Sequence, residues 1–172
     1  VERPSSVIKE LTENALDAGA TTVEIEIADG GSSYMRVSDN GSGMSEEDAK
    51  KSIIRHGTSK ISSIEDIFSI TSLGFRGEAV PSIAAVSELV MTTRMNDTDL
   101  AFRMVLSGGS VKEEEHTGAS VGTTMEVRNL FFNTPARKKF MKSERTESSK
   151  ISDIITKLAL TRPDVSFTFI NN

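Results

Sequence analysis

The stretch ELTENALDAG at residues 10–19 constrains the fold more than any other, because its spacing predicts a helix with two different faces. At 3.6 residues per turn, Glu10, Asn14 and Asp17 share one polar stripe. The apolar stripe beside it contains Val7, Leu11, Ala15 and Ala18. A solvated helix usually places Lys or Arg among its acids as ion pairs, but residues 10–19 contain no basic residue. We therefore expect one face to pack on the core and the other to carry acids that do not serve ion pairing.

The composition indicates one domain with a core of ordinary size. The chain has 172 residues, two histidines and no cysteine, which excludes disulfides and thiolate metal sites and disfavours a zinc centre. It has no long apolar run and no signal-type start, so we expect a soluble, cytoplasmic protein. The net charge of −5 means that any contact with nucleic acid must come from a local basic patch. Because Val1 is not an initiator residue, we expect a fragment or a trimmed chain.

Hairpins and amphipathic helices alternate irregularly along the chain. Residues 21–27 and 34–37 alternate apolar and polar side chains and flank the turn ADGGSS, which predicts a hairpin. Helices are predicted from Pro4 to Gly19, at 45–55, at 64–70, after Gly77 and at 150–160. Further strands are predicted at 88–95, 101–106, 122–127 and 165–170. The acidic run 113–115 is interpreted as a solvated loop edge. The pattern lacks the regular alternation of a doubly wound sheet and indicates a mixed α/β (α+β) fold.

The string DNGSGM at residues 39–44 has two interpretations. It can be a plain turn between a strand and a helix that Ser45 caps. Alternatively, Asp39 ends a buried strand, and Gly41 and Gly43 remove side chains where a flat or anionic ligand could approach the backbone closely. A carboxylate at the base of a pocket accepts a hydrogen bond from an exocyclic amine, a contact that selects adenine.

A second glycine-rich stretch, SLGFRGEA, precedes a helix of small residues. Gly74 and Gly77 bracket Phe75 and Arg76 there. A glycine-rich loop that enters a helix N-terminus exposes unpaired N–H groups and can bind an anion. The same loop could equally be a connection that binds nothing.

The string NLFFNTPARKKFMKSE combines an aromatic pair with a basic run at residues 137–142. One interpretation is that Phe131 and Phe132 face the core and that a solvated helix begins after them. The other is that the basic run contacts nucleic acid or a partner surface. Both interpretations remain open from the sequence.

Three catalytic templates are excluded. GASVG at 118–122 matches the nucleophile-elbow pattern GxSxG, but that elbow needs a following helix and a later histidine. A predicted strand follows Ser120, and no histidine comes after it. The patterns GxxxxGK[ST] and GxGxxG after a strand are both absent. If the chain binds a nucleotide, it does so by another arrangement.

Four motifs in order and register supply that arrangement: ExxxN at residues 10–14, DNGSGM at 39–44, GFRGEA at 74–79 and GTT at 122–124. Together they resemble the GHKL ATPases, which include type II topoisomerase ATPase subunits, heat-shock chaperones, sensor histidine kinases and MutL-type proteins. The longer strings ERPSSVIKELTENALDAGA, RHGTSKI, LGFRGEA and NLFFNTPARKKF resemble the MutL family of DNA mismatch repair proteins, with bacterial members favoured. The resemblance covers essentially the whole chain.

The resemblance implies a two-layer sandwich, in which a mixed, mostly antiparallel sheet carries helices on one face. ATP with Mg²⁺ would bind between the helices and a lid at residues 74–79. It implies that Glu10 is the general base, that Asn14 ligates Mg²⁺ and that Asp39 reads adenine. Thr123 would support Asp39 through water. The remaining nucleotide-binding positions implied are Gly41, Gly43, Met44, Thr58, Ser59, Lys60, Gly74, Phe75, Arg76, Gly77, Glu78 and Ala79.

The family also implies an ATP-driven switch. Binding of ATP would close two such domains into a homodimer, which signals to the mismatch recognition protein MutS and to a downstream endonuclease or helicase. Residues 1–172 would form one ATPase domain, completed by an N-terminal arm and a lysine of a following transducer domain. Hydrolysis by these residues alone is therefore not implied.

Two other hypotheses stand beside this one. The chain could be another GHKL member, such as a topoisomerase subunit or a kinase, although NTPARKKF and FRGEA count against that. It could also be a nucleotide-independent module that binds DNA through residues 137–142, which the acidic net charge disfavours.

Overall fold

A computed structural model describes residues 1–54 and 78–172 of the chain. Its helices are α1 (Pro4–Asp17), α2 (Glu46–Ser52), α3 (Ala79–Ala85), α4 (Pro135–Phe140) and α5 (Glu144–Thr161), with one 3₁₀ turn at Asp29–Gly31. Its strands are β1 (Thr22–Ala28), β2 (Tyr34–Asp39), β3 (Glu88–Arg94), β4 (Ala101–Ser107), β5 (Ser110–Thr117), β6 (Gly122–Arg128) and β7 (Ser166–Asn171). The helix predicted at 64–70 lies outside the described residues.

Local sequence signals explain where the helices begin and end. Pro4 occupies the first turn of α1, where its missing N–H is not needed, and Gly19 follows the helix with a left-handed φ of 79°. The Ser45 side chain caps α2 by accepting a hydrogen bond from the Asp48 amide at 3.1 Å. Ser143 caps α5 in the same way, through the Thr146 amide at 3.2 Å. The first residues of these helices are therefore specified by the local sequence.

The seven strands of the described residues form one sheet in the order β5-β4-β3-β6-β2-β1-β7. Every neighbouring pair is antiparallel except β1 and β7, which are parallel. The core lies on one face of the sheet, where inward strand residues pack with the apolar stripes of α1, α3 and α5. The other face is polar, with Arg36 paired to Glu24 and Glu26. The predicted two-layer fold with a mixed, mostly antiparallel sheet is therefore confirmed.

The interpretation of residues 113–115 as a loop edge is wrong, because they lie within strand β5. Among the described strands, β5 pairs only with β4, and its residues from 110 to 116 are exposed. Arg103 of β4 forms ion pairs with Glu113 and Glu115 across the ladder. An edge strand without a buried face needs no apolar alternation, so its sequence resembles a solvated loop.

The aromatic pair divides between core and surface. Phe131 is fully buried and donates its amide hydrogen to the Val86 carbonyl at 2.7 Å, whereas Phe132 is 43% exposed. Phe131 has a φ of 66°, and this left-handed residue turns the chain so that the two rings do not share one environment. The interpretation in which both rings face the core is thus correct for Phe131 alone.

Candidate nucleotide site

Helix α1 carries the two residues predicted for catalysis and metal binding. Val7, Leu11 and Ala15 are buried on its core face, whereas Glu10 and Asn14 are half-buried on the adjoining face. Within residues 1–54 and 78–172, the side chains of Glu10 and Asn14 form neither a hydrogen bond nor an ion pair. The helix therefore presents a carboxylate and an amide, one turn apart, that the described part of the fold does not use.

Glu10 faces a cleft of about 440 Å³ between α1 and the start of α3. Its described lining comprises Val1, Glu2, Ser6, Glu10, Glu78, Ala79 and Ser82. Glu78 and Ala79 end the glycine-rich stretch whose backbone was predicted to meet phosphates. The structure thus brings the predicted base and the described end of that stretch to one cleft.

Asp39 lies at the end of β2, directly opposite Thr123 of β6. Its Oδ1 accepts hydrogen bonds from the Gly41 amide at 2.8 Å and the Thr123 amide at 3.3 Å. Burial raises the pKa of Asp39, and these two backbone hydrogen bonds oppose the increase. Because both described hydrogen bonds end on Oδ1, Oδ2 is the oxygen that can accept from a ligand.

The glycines of the DNGSGM segment are required by close packing within the fold. A Cβ on Gly41 would lie 2.8 Å from the Ala18 carbonyl oxygen and 3.1 Å from Asp39 Oδ1. Gly43 has a φ of 69°, and a Cβ there would overlap the carbonyl of Arg94. The space beside Gly43 is therefore filled by the backbone of Arg94, and the space beside Gly41 is filled by Ala18.

Helix α1 carries Glu10 and also contacts the DNGSGM segment that follows Asp39. The Ser42 amide donates to the Ala18 carbonyl at 2.9 Å, which docks the DNGSGM segment on the C-terminal end of α1. Glu10 lies eight residues before Ala18, or about 12 Å along the helix axis. The DNGSGM segment consequently contacts the C-terminal end of α1, and Asn14 lies between that contact and Glu10 along the helix.

Thr93 is a component of this region that the sequence analysis missed. It is 1% exposed, and its Oγ1 lies 2.8 Å from the Met44 amide, 2.8 Å from Thr123 Oγ1 and 3.3 Å from the Gly122 carbonyl oxygen. It therefore links the DNGSGM segment to the GTT motif. The available signal was a hydroxyl residue at an inward position of β3, in step with buried Leu89 and Met91.

Several predicted positions are not placed by the structure. Thr58, Ser59, Lys60, Gly74, Phe75, Arg76 and Gly77 lie outside the described residues. Across the ranges 1–54 and 78–172, no group of three or more His, Cys, Asp or Glu side chains could hold a metal ion by itself. Among these described residues Asn14 is the predicted oxygen donor to a metal, and the other ligands of such a metal would come from outside this set.

The basic run 137–142 overlaps the short helix α4 and is largely exposed. Phe140, within it, is 81% exposed. No helix in the described part of the chain is long and apolar enough to cross a membrane. Arg137, Lys138 and Lys139 fall in the last turn of α4, where cations are favourable to the helix dipole.

Comparison with known proteins decides the family. Residues 2–127 match the model of the histidine kinase-, DNA gyrase B-, and HSP90-like ATPases. The chain belongs to this ATPase family. Strand β6 and everything before it, including α1, the DNGSGM segment and the GTT motif, fall almost entirely within the matched range.

Within the family, the chain is similar to DNA mismatch repair proteins named MutL. It is 53% identical to the protein of Citrifermentans bemidjiense over 172 residues, covering 100% of this chain and 27% of the relative. Against the Clostridium botulinum protein the identity is 51%, again covering 100% of this chain and 26% of the relative. The chain thus spans about a quarter of the length of these relatives.

Solved structures give the same grouping. The Aquifex aeolicus MutL ATPase domain complexed with ADP superposes with a TM-score of 0.80 at 36% identity, covering 99% of this chain and 60% of that one. The same domain with a K252N mutation gives a TM-score of 0.80 at 35% identity, covering 100% and 58%. The predicted resemblance to MutL-type ATPase domains is therefore confirmed.

Proposed function

We propose that the chain is the ATP-binding, slowly hydrolysing switch domain of a bacterial MutL-type DNA mismatch repair protein. The observation that carries the proposal is the pair Glu10 and Asn14, which share one face of α1 without partners in the described part of the fold. A relative whose ATPase domain is complexed with ADP supports a nucleotide as the ligand.

Glu10 is the proposed general base, which takes a proton from the water that attacks the γ-phosphate. Its place on the cleft beside Glu78 and Ala79 supports this role. Phosphoryl transfer depends on positioning and charge neutralisation rather than on covalent chemistry by the protein. A rigid helix that holds a base at the cleft meets the first requirement.

Asn14 fits a magnesium ligand, because it offers an amide oxygen one turn from Glu10 and has no other described partner. Hard divalent cations of this size prefer a few protein oxygens together with phosphates and water. Asn14 would hold Mg²⁺ through that oxygen, and the ion would supply neutralisation of phosphate charge.

Asp39 is proposed to accept from the exocyclic amine of adenine through Oδ2, with Thr123 beside it. Gly41 would contribute through its amide, which donates to Asp39 Oδ1. The two amides on Oδ1 hold the carboxylate in one orientation, which supports that role. Gly43 and Met44 would contribute by positioning the segment. The proposal assigns the phosphates to the glycine-rich residues 74–79 and to Thr58, Ser59 and Lys60.

At the level of the whole protein, ATP would act as a conformational ligand in the bacterial cytoplasm. Two copies would close into a homodimer when ATP binds, and the closed form would engage MutS and a downstream endonuclease or helicase. Residues 1–172 would be one ATPase domain of that longer protein. The identity to MutL proteins along all 172 residues supports this assignment.

The test is a calorimetric titration with a non-hydrolysable ATP analogue, with and without Mg²⁺, combined with turnover measurements on the longer protein. We expect Glu10→Ala to retain nucleotide binding and to lose turnover, because the base is removed and the adenine contacts stay. We expect Asn14→Ala to remove the Mg²⁺ dependence of binding. Retained turnover in Glu10→Ala would assign the base to another residue.

A second activity is weak DNA binding through residues 137–142. The exposed Arg137, Lys138, Lys139 and Lys142 support it, because a short segment carries four cations on an otherwise acidic chain. Phosphate contacts of this kind position a protein on DNA without reading sequence.

A further inference from the structure

We propose that Arg137 is a positioning residue for the Glu10 cleft: its guanidinium holds the chain segment just before α1 and thereby keeps one wall of the cleft in place. The inference rests on the proposed function, because it concerns the turnover assigned to that cleft. Arg137 is not among the described residues that line the cleft, so it acts through the segment that it holds and not by touching the nucleotide.

The segment that enters α1 forms part of the cleft but not part of the helix. Val1 and Glu2 line the cleft beside Ser6 and Glu10. Arg3, which precedes the first helical residue, has an extended backbone with φ −161° and ψ 167°. The backbone hydrogen bonds of α1 therefore do not fix residues 1 and 2. Another contact is needed to hold them beside Glu10.

Arg137 supplies that contact. Its Nη1 donates a hydrogen bond to the Val1 carbonyl oxygen at 2.5 Å, between residues 136 positions apart in sequence. Within residues 1–54 and 78–172, no other hydrogen bond involves Val1 or Glu2. The Val1 side chain is partly buried and packs against the core. The guanidinium and the core thus fix the backbone and the side chain of the same residue.

Helix α4 is attached to the rest of the fold at both ends, which gives Arg137 a defined position. Before the helix, the buried Phe131 donates its amide hydrogen to the Val86 carbonyl at 2.7 Å. After the helix, the Lys142 amide donates to Oε2 of Glu147 at 2.8 Å, and Glu147 is 1% exposed. A planar guanidinium also loses little freedom for each hydrogen bond that it forms. Helix α4 is therefore the support on which residues 1 and 2 are held.

Loss of this contact should affect turnover more than nucleotide affinity. Residues 1 and 2 lie beside the proposed base Glu10, whereas the proposed adenine contact is Asp39 at the end of β2. Turnover requires the attacking water, the base and the phosphate to meet in one geometry, and small displacements near them lower the rate strongly. Affinity depends on the sum of contacts along the nucleotide and is less sensitive to one displaced wall.

The first test measures ATP turnover of the longer protein, without DNA, for Arg137→Ala, Arg137→Lys and Arg145→Ala. We expect Arg137→Ala to lower kcat at least about tenfold and to leave the affinity for a non-hydrolysable ATP analogue unchanged. Arg137→Lys should recover most of the rate, because an ammonium group can donate to the same carbonyl. Arg145 is the matched control, an exposed arginine of α5 whose replacement makes the same change in charge and should leave kcat unchanged.

The second test measures amide hydrogen exchange in the same variants without nucleotide, so it does not depend on the proposed function. The amides of Ser6 and Val7 donate to the Arg3 carbonyl at 3.1 and 3.4 Å, directly after the held segment. We expect these two amides to exchange faster in Arg137→Ala than in the parent protein or in Arg145→Ala, because the segment before them is released.

Three results would overturn the inference and leave the proposed function intact. Unchanged exchange in Arg137→Ala would show that the contact does not hold the segment. Faster exchange with a parent-like kcat would show that the segment does not serve turnover. A loss of kcat that Arg137→Lys does not recover would make the residue structural.

A parent protein that turns over no ATP would remove the proposed function together with the inference. Alanine is a better helix former than arginine, so α4 should form in Arg137→Ala. If that variant still fails to fold, Arg137→Gln, whose amide donor is carried on a shorter side chain, should lower kcat in the same direction, and a parent-like kcat in it would overturn the inference.

Discussion

Asp39 carries two opposed requirements at the scale of a single residue. Its burial disfavours the charged form, while the proposed recognition of an amine is strongest when the carboxylate is ionised. The Gly41 and Thr123 amides offset part of that penalty by donating to Oδ1. A partly buried carboxylate with a raised pKa is typical of a functional position rather than a stabilising one.

Asp39→Asn separates the two requirements. The folded chain binds a proton at Asp39 more tightly than the unfolded chain does, so ionisation lowers stability as pH rises from the ordinary value near 3.9 through the raised pKa. Asparagine keeps an oxygen for both amides and removes the charge. We therefore expect Asp39→Asn to abolish adenine nucleotide binding and to raise the melting temperature at pH 7. The gain should vanish below about pH 3.9. Thermal scans across this pH range measure it, and a lower melting temperature at pH 7 would contradict the burial argument.

Gly43→Ala tests the packing of the DNGSGM segment on β3. Alanine would adopt an unfavourable φ and overlap the Arg94 carbonyl, so we expect the free energy of unfolding to fall by at least about 2 kcal/mol. Gly118→Ala is the matched control, because a Cβ there meets nothing within 4 Å. Its effect should stay within about 0.5 kcal/mol. Urea denaturation measures both, and equal stabilities for the two variants would refute the close approach.

At the scale of elements, the paired strands β2 and β6 carry both core residues and residues of the candidate site. Their inward face carries core residues such as Val37 and Val127, and their ends carry Asp39 and Thr123. On the polar face, Tyr34 of β2 donates its hydroxyl to Glu126 of β6 at 2.8 Å. The ladder that positions the candidate site is thus also held by a side-chain contact on its outer face.

The Tyr34 contact can be followed directly, because the chain has only one tyrosine. Burial and the hydrogen bond to Glu126 raise the pKa of Tyr34 to about 12. The folded state keeps this proton longer than the unfolded state does, so stability should fall as pH rises from about 10 to about 12. We expect an absorbance titration of the tyrosinate to show a midpoint well above 10. In Glu126→Gln the midpoint should move back toward 10, and an unchanged midpoint would exclude the carboxylate as a cause.

Charge is distributed unevenly at the scale of the whole molecule. The chain has a net charge of −5, and its edge strand β5 is rich in Glu, yet residues 137–142 are basic and exposed. A local patch on an acidic body gives weak, salt-sensitive contact with nucleic acid rather than general adhesion. The proposed nucleotide site and the proposed DNA contact therefore involve different parts of the fold.

Charge reversal in the basic run tests this division. For Lys139→Glu we expect weaker duplex DNA binding and a plot of log affinity against log salt that is shallower by about 1. Lys51→Glu is the control, because it makes the same change in net charge on α2, beside Glu47. ATP-analogue affinity should be unchanged in both variants. Equal salt slopes for Lys139→Glu and Lys51→Glu would mean that DNA responds to net charge alone.

Much of the candidate site could be predicted from local patterns. The period of 3.6 placed Glu10 and Asn14 on one face of a helix, and the alternation of β2 and β6 placed Asp39 and Thr123 near strand ends. These features depend on residues within one or two turns or within a single strand, so the sequence contains them directly. The sequence motifs also indicated the protein family, which periodicity alone does not identify.

Only the tertiary structure decided the contacts between distant segments. Met44 and Thr93 meet across two elements, Gly43 is required by the Arg94 carbonyl, and β5 is a strand although its sequence carries no apolar alternation. The physical reason is the same in each case. A hydrogen bond or a close approach between residues far apart in sequence depends on strand order and register, and an edge strand depends on having one neighbour rather than a buried face. The amino-acid sequence by itself thus determined which faces carry chemistry, and the packing of the sheet determined which of those groups touch.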